Sequence, residues 1–154
     1  MVKMTDTNSK LTLEDIKDFE QENNIRLTTN YKNFLLKWNG GYIEPHLFYI
    51  SDKQGVSAMN IFNGIGDFDD SLDEYIDILD YRLPEGFIPI GDDSNGNQVC
   101  LGTLQPHYDH IYFWDHENES DLDEPDMSNM YFLASNIWEF LDSLYEDESD
   151  EDEV

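Results

Sequence analysis

Carboxylates dominate the side chains that could do chemistry: 35 Asp and Glu stand against 8 Lys and Arg and 4 His, a formal charge of −27. General acid–base work by a carboxyl needs a raised pKa in an apolar pocket. The neighbouring acids Asp69-Asp70 and Asp92-Asp93, and the run at 121–124, instead sit among polar loop residues. Acid pairs are so frequent here that none marks a catalytic centre. His107, Asp109, His110, Asp115 and His116 are the one group with metal-ligand chemistry, and zinc needs three or four convergent ligands. On a strand from 110 to 114, alternation puts His110, Tyr112 and Trp114 on one side and Ile111 and Phe113 on the other, leaving His107 and His116 at opposite ends. A calcium loop starting at Asp93 would place Asn95 and Asn97 correctly, but Gln98 takes the glycine position and Leu104 the bidentate glutamate position. Cys100, between Val99 and Leu101, has no neighbouring base to activate it. No glycine-rich phosphate loop, hydrolase elbow or HExxH motif occurs. The expectation is a protein that is not an enzyme and uses no metal or cofactor.

Charge points to the partner instead. A surface this acidic repels nucleic acid and anionic membranes, whose binding depends on Lys and Arg. It attracts basic proteins and speeds their encounter in a salt-dependent way. A single cysteine excludes an internal disulfide framework and fits a reducing compartment. The first residues lack the apolar stretch of a signal peptide, and no apolar run is long enough to span a bilayer. A cytoplasmic location is expected.

The elements that must carry these acids follow from periodicity and punctuation. Residues 1–11 are polar and read as a flexible N-terminus. Thr12 and Asp15 form a capping-box pattern before Leu13, Ile16 and Phe19, and Asn23-Asn24 stops that helix. Tyr31, Phe34, Leu35 and Trp38 line one stripe of a second helix, ended by Asn39-Gly40-Gly41. Strands are expected at 42–50 and 56–62, joined by a turn at 52–55. A capping box of Ser71 and Glu74 starts a third helix with Leu72, Tyr75, Ile76 and Leu79 as its buried face. Three strands then follow at 87–90, 98–101 and 110–116, the first two separated by a loop at 91–97. Residues 117–129 read as an exposed loop and 130–133 as a short edge strand. Ser135 or Asn136 caps a last helix with the stripe Ile137, Phe140, Leu141 and Leu144. Residues 145–154 are expected to form an acidic, disordered tail. Helices toward both ends with strands mostly between predict a single α+β domain over 12–144, its central sheet mostly antiparallel.

The ordered pieces carry a resemblance. Phe34-Leu35-Leu36-Lys37-Trp38-Asn39-Gly40-Gly41, then Ile88-Pro89-Ile90-Gly91-Asp92 with Gly96-Asn97, then Ile111-Tyr112-Phe113-Trp114-Asp115-His116, and finally Ala134-Ser135 before Trp138-Glu139-Phe140-Leu141 resemble the SUKH superfamily. That superfamily includes fungal cell-wall assembly regulators and bacterial immunity proteins encoded beside polymorphic toxins. Its usual Leu-Pro before the second helix is Leu27-Thr28 here, its Gly-Asp is Gly96-Asn97, and the aromatic before its last helix is Asn136. The resemblance implies a binding module without catalysis. One form of it neutralises a cognate toxin domain with a basic surface, many such toxins being nucleases; the other is a regulatory or scaffolding module like the fungal proteins.

Joined to the charge, the resemblance makes Asp67, Asp69, Asp70, Asp73, Glu74, Asp92, Asp93, Asp115 and Glu117 the candidate partner contacts. Trp138, beside the apolar stripe of the last helix, is a further candidate anchor, whereas Trp38 reads as core. The acidic tail adds long-range steering. Deleting residues 146–154 should slow association with a basic partner more than it speeds dissociation; stopped-flow mixing at low salt checks this, and an unchanged association rate removes the steering role.

Overall fold

Capping chemistry starts three of the four helices where the side chains predict. A computed structural model describes residues 2–119 and 125–146. A short strand β1 (Lys3–Thr5) precedes helix α1 (Leu13–Asn23). Thr12 and Asp15 exchange both capping-box hydrogen bonds at the start of α1, and Asn24 closes it in the left-handed conformation at φ 52°. Helix α2 (Thr29–Lys37) begins at Thr28, whose hydroxyl accepts from Tyr31 N, so a side-chain cap starts this helix where the resemblance would place a proline. Tyr31, Phe34 and Leu35 are buried on its inner stripe, whereas Trp38 leaves the helix as its extended C-cap and is only half-buried.

The strand expected over 42–50 divides into β2 (Tyr42–Glu44) and β3 (Leu47–Ser51) around Pro45, which has no N–H to give a ladder. β2 pairs antiparallel with β1, so residues expected to be flexible carry a strand. β4 (Gly55–Phe62) completes a hairpin with β3, and Gly55 takes φ +77° at the turn. Helix α3 (Leu72–Ile78) starts at Ser71, whose hydroxyl accepts from Glu74 N at 3.3 Å. Leu72 and Leu79 are buried, but Tyr75 and Ile76 only half so.

β5 (Phe87–Asp93), β6 (Gln98–Gly102), β7 (Ile111–Trp114) and β8 (Met130–Ala134) follow, then α4 (Ile137–Ser143) with Asn136 as its N-cap. β5 runs three residues past the expected strand end. Asp92 pairs with Gln98 across the sheet and Asp93 N donates to Asn97 O, so both acids belong to the strand rather than to the loop. Tyr145, expected to begin the disordered tail, instead exchanges both backbone hydrogen bonds with Leu47; the run at 121–124 and the tail beyond residue 146 lie outside the described residues.

The order β3-β4-β5-β6-β7-β8 is one antiparallel meander, and right-handed twist curls it. Gln54, in the β3–β4 turn at one edge, donates to the Tyr131 hydroxyl of β8 at the other edge at 3.2 Å. The sheet is thus a nearly closed barrel within an α+β domain. Alternation along its strands sends side chains into two cores. Ile88, Ile90, Val99, Leu101, Ile111 and Phe113 face α1, α2 and α4. Phe87, Cys100, Trp114 and Met130 face Leu79 and Leu83, just beyond α3. Both faces of β6 are covered, which is why all five of its residues are buried.

Asn39 ties the elements together. Its side-chain amide donates to Ser9 O at 2.8 Å and Ile65 O at 2.9 Å, and its carbonyl accepts from Ile65 N at 2.7 Å. Gly40, at φ +74°, lies so close to the same loop that a Cβ would stand 2.8 Å from Gly64 N. Truncating Asn39 strands buried polar groups, so Asn39→Ala should cost about 2 to 4 kcal/mol. Urea unfolding checks this: the midpoint should fall with the slope unchanged.

Candidate protein-binding surface

Six of the nine candidate acids come together. Five of them lie on the loop before α3 and its first turn: Asp67, Asp69, Asp70 and Glu74 are exposed, and Asp73 is half-buried. The loop is braced from behind. Leu72 N donates to Gly64 O at 2.7 Å, Asn63 Nδ2 to Asp70 O at 2.9 Å, and Ile65 is held by Asn39. Asp70 itself sits at φ 66°, a conformation that short polar side chains tolerate. Asp73 accepts from Asn23 Nδ2 at 3.2 Å, joining α3 to the end of α1.

Asp92 reaches this group from β5 through Tyr75. The Tyr75 hydroxyl donates to Asp70 Oδ1 at 3.4 Å, and burial together with the charges of Asp70 and Asp92 pushes its pKa up. Burial also raises the pKa of Asp92, opposed by hydrogen bonds from Asn60 Nδ2 at 3.1 Å and from the Ile61 backbone; Asp93 and Asp70 add like charge. Tyr75 was legible only as a core position on a helical stripe. Its place between two carboxylates depends on the pairing of β4 with β5.

Asp93, Asp115 and Glu117 form a separate group beside a cavity of about 340 Å³ at the mouth of the sheet. Asp93 is 3% exposed and Asp115 is 5% exposed, and both are engaged within the chain. Asp93 accepts from Asn95 N, Asn97 N and Asn97 Nδ2, each at 2.9 Å, and from Ser57 Oγ at 2.8 Å. Asp115 caps the 3-10 turn His116–Asn118 through Glu117 N and accepts from Gln54 Nε2 at 3.1 Å. Donors converge on a carboxylate at 93–97, the reverse of a calcium loop, where oxygens converge on a cation. Glu117 is the exposed member of this group.

Two of the histidine candidates find partners nearby, whereas His110 Nδ1 is buried without one among the described residues. His107 Nδ1 lies 3.3 Å from the Tyr112 hydroxyl, and His116 Nε2 lies 2.8 Å from Asn95 O. Among the described residues, no three of His, Cys, Asp or Glu converge as a metal-ligand set. Cys100 is fully buried, and burial pushes its thiol pKa up, away from a reactive thiolate. Trp138 is half-buried against Trp38, ring centroids 6.5 Å apart, and both rings meet Phe34 edge-on.

Charge compensation is sparse. Among the described residues, ion pairs join Lys32 to Glu20 at 3.6 Å and Arg82 to Glu119 at 2.8 Å, and a hydrogen-bonded pair joins His46 Nδ1 to Glu44 at 3.1 Å. The Arg82 fork makes two bonds to Glu119 and holds its carboxyl below the usual range. The acids of the α3 group are outside all three pairs and keep their field.

A nearly closed antiparallel meander, backed by helices from both chain ends and carrying such a field, defines an acidic α+β domain with no membrane-crossing helix among the described residues. Residues 10–143 match the SMI1 / KNR4 family (SUKH-1), and the chain belongs to that family. It is also similar to the SPbeta prophage-derived uncharacterized protein YokK of Bacillus subtilis strain 168, at 27% identity over 153 residues, covering 88% of this chain and 76% of that one. The family associates this chain with protein–protein interaction.

The raised pKa of Asp92 has a consequence of definite sign. A carboxyl raised in the folded state weakens folding above that pKa and does nothing below its unfolded value, because both states are then protonated. Asp92→Asn should therefore raise Tm at pH 7, and the gain should fade as pH falls toward about 4, the ordinary aspartate range. Calorimetry across that interval checks it; a gain that persists in acid assigns the effect to something other than the charge.

Proposed function

We propose that this protein is a bacterial immunity protein that acts in the cytoplasm by binding a cognate toxin domain with a basic surface and blocking it without catalysis. The observation that carries this reading is the braced acidic surface of Asp67, Asp69, Asp70, Asp73, Glu74 and Asp92, where six carboxylates lie outside every ion pair among the described residues. Membership in the SUKH-1 family supports a binding role, and the prophage-derived relative supports a bacterial setting. A field of this sign raises the encounter rate with a cationic surface and orients it, an effect that falls with ionic strength. If the toxin is a nuclease, the same field stands in for the phosphates its substrate site is built to meet.

Co-expression tests this. A toxin domain encoded beside the protein's gene should kill alone, be tolerated with the protein, and co-purify with it. The association rate should fall steeply between low and physiological salt, and neutralising Asp67, Asp69 and Asp70 together should lower it about tenfold or more at low salt. Killing that continues unabated, with no complex recovered, removes the immunity reading.

A further inference from the structure

A second surface, away from the β5–β6 hairpin tip, pairs apolar depth with acidic rim. Beyond α3 the chain makes a turn, Arg82 N and Leu83 N both bonding to Leu79 O, with Tyr81 at φ 69° on its outside. Between this turn, the α1–α2 connection and the start of the β6–β7 loop lies a cleft of about 480 Å³. Leu79, Leu83 and Phe87 form its floor, continuous with the outer core of the sheet. Leu104 forms a wall and is 55% exposed; Tyr81 stands on the lip and is 84% exposed. Exposed large apolar side chains gathered at one concavity mark an interaction site more than singly scattered ones do.

The charges around the cleft choose the occupant. Glu22, Asp77, Asp80 and Glu85 line it, all exposed, against the single base Arg26. An acidic peptide or a nucleic acid would meet net repulsion there, whereas a cationic segment would meet a focused attractive field. The acids set rate and orientation, and affinity comes from apolar or aromatic side chains desolvated at the centre of a contact. The walls are already in place: Thr103 N and Oγ1 both donate to Gly86 O, at 2.7 and 3.1 Å, and a Cβ on Gly86 would stand 3.2 Å from Leu104 Cβ. A cleft that needs no reordering loses little of its binding energy to entropy.

We propose that this cleft seats an apolar side chain presented by a basic segment of a protein partner, and that Tyr81 and Leu104 are its anchoring contacts. The proposal rests on the reading that the partner is basic, and it moves the affinity-giving contact away from the Asp67–Asp92 surface.

NMR titration of the full chain tests it, with a short capped peptide of alternating lysine and leucine as probe and a lysine-only peptide of equal length as comparison. The mixed peptide should bind saturably, shift the amides of Ile25, Leu83, Phe87 and Leu104, and bind about tenfold or more tightly than the lysine-only peptide. Tyr81→Asn combined with Leu104→Gln should erase that difference; asparagine tolerates the left-handed backbone at 81, and a native-like amide spectrum verifies the fold. Asp77→Asn with Asp80→Asn, which leaves the apolar walls intact, should weaken the mixed peptide and flatten its salt dependence. Equal affinity for the two peptides, or shifts centred on Asp70 and Asp92, overturns the proposal. Co-expression separates the two readings: a toxin neutralised equally by the wild type and by the Tyr81, Leu104 double variant removes the cleft and keeps immunity. Failure of the wild type to neutralise removes immunity, while the titration still decides the cleft.

Discussion

Uncompensated like charge is the constraint under which this fold has to hold together. With a net charge of −27 and two Lys or Arg ion pairs among the described residues, the surface works against compaction. Cohesion therefore falls to the interior. The sheet meets it by burying apolar side chains on both faces, and aromatic rings knit the layers: Phe34 meets Phe62 at 5.2 Å between centroids, and Phe48 meets Phe140 at 5.4 Å. Edge-on rings of this kind add to area burial without adding charge. Neutral hydrogen bonds do the tying that salt bridges do elsewhere, and Asn39 is the clearest case, joining the N-terminal segment, the end of α2 and the loop before α3.

The acids divide by what their oxygens meet. Asp15, Asp93 and Asp115 accept backbone N–H groups at a helix start, a hairpin turn and a 3-10 turn, so their charge is spent on local structure. Asp67, Asp69, Asp70 and Glu74 face solvent from a braced loop and a helix start, and their charge acts outward. The same residue type thus does two jobs, and the distinction is one of geometry. Asp92 lies between them: it is half-buried, holds Asn60, and feels the outward group through Asp70.

A protein that captures a basic partner needs both a long-range field and a place where apolar contact can follow. The α3 surface supplies the first. The cleft behind Tyr81 and Leu104 supplies a shape for the second, and the two share α3 as a common wall, so one helix positions both. Arg82, bonded to Glu119 and lying over the Trp114 ring at 5.3 Å, pins the segment from which Tyr81 projects.

Residue order alone determined three of the four helix starts, because capping is a matter of a few consecutive side chains: Thr12 with Asp15, Ser71 with Glu74, and the Ser135-Asn136 pair are each read within one turn. It also determined the α+β class, the family and the existence of the central strands, whose short β-branched and aromatic runs are bounded by turn residues. Tertiary structure decided the rest. The N-terminal strand Lys3–Thr5 has no pattern of its own and exists because β2 offers it an edge. The extension of β5 through Asp93 depends on β4 and β6 bonding both sides of it. That extension in turn buried Asp93 and carried Asp92 toward Asp70, dividing a list of acids that looked uniform in sequence. Local chemistry can say that a carboxylate is present; which donors, walls and neighbouring charges surround it depends on chain segments tens of residues away, and only packing brings them together.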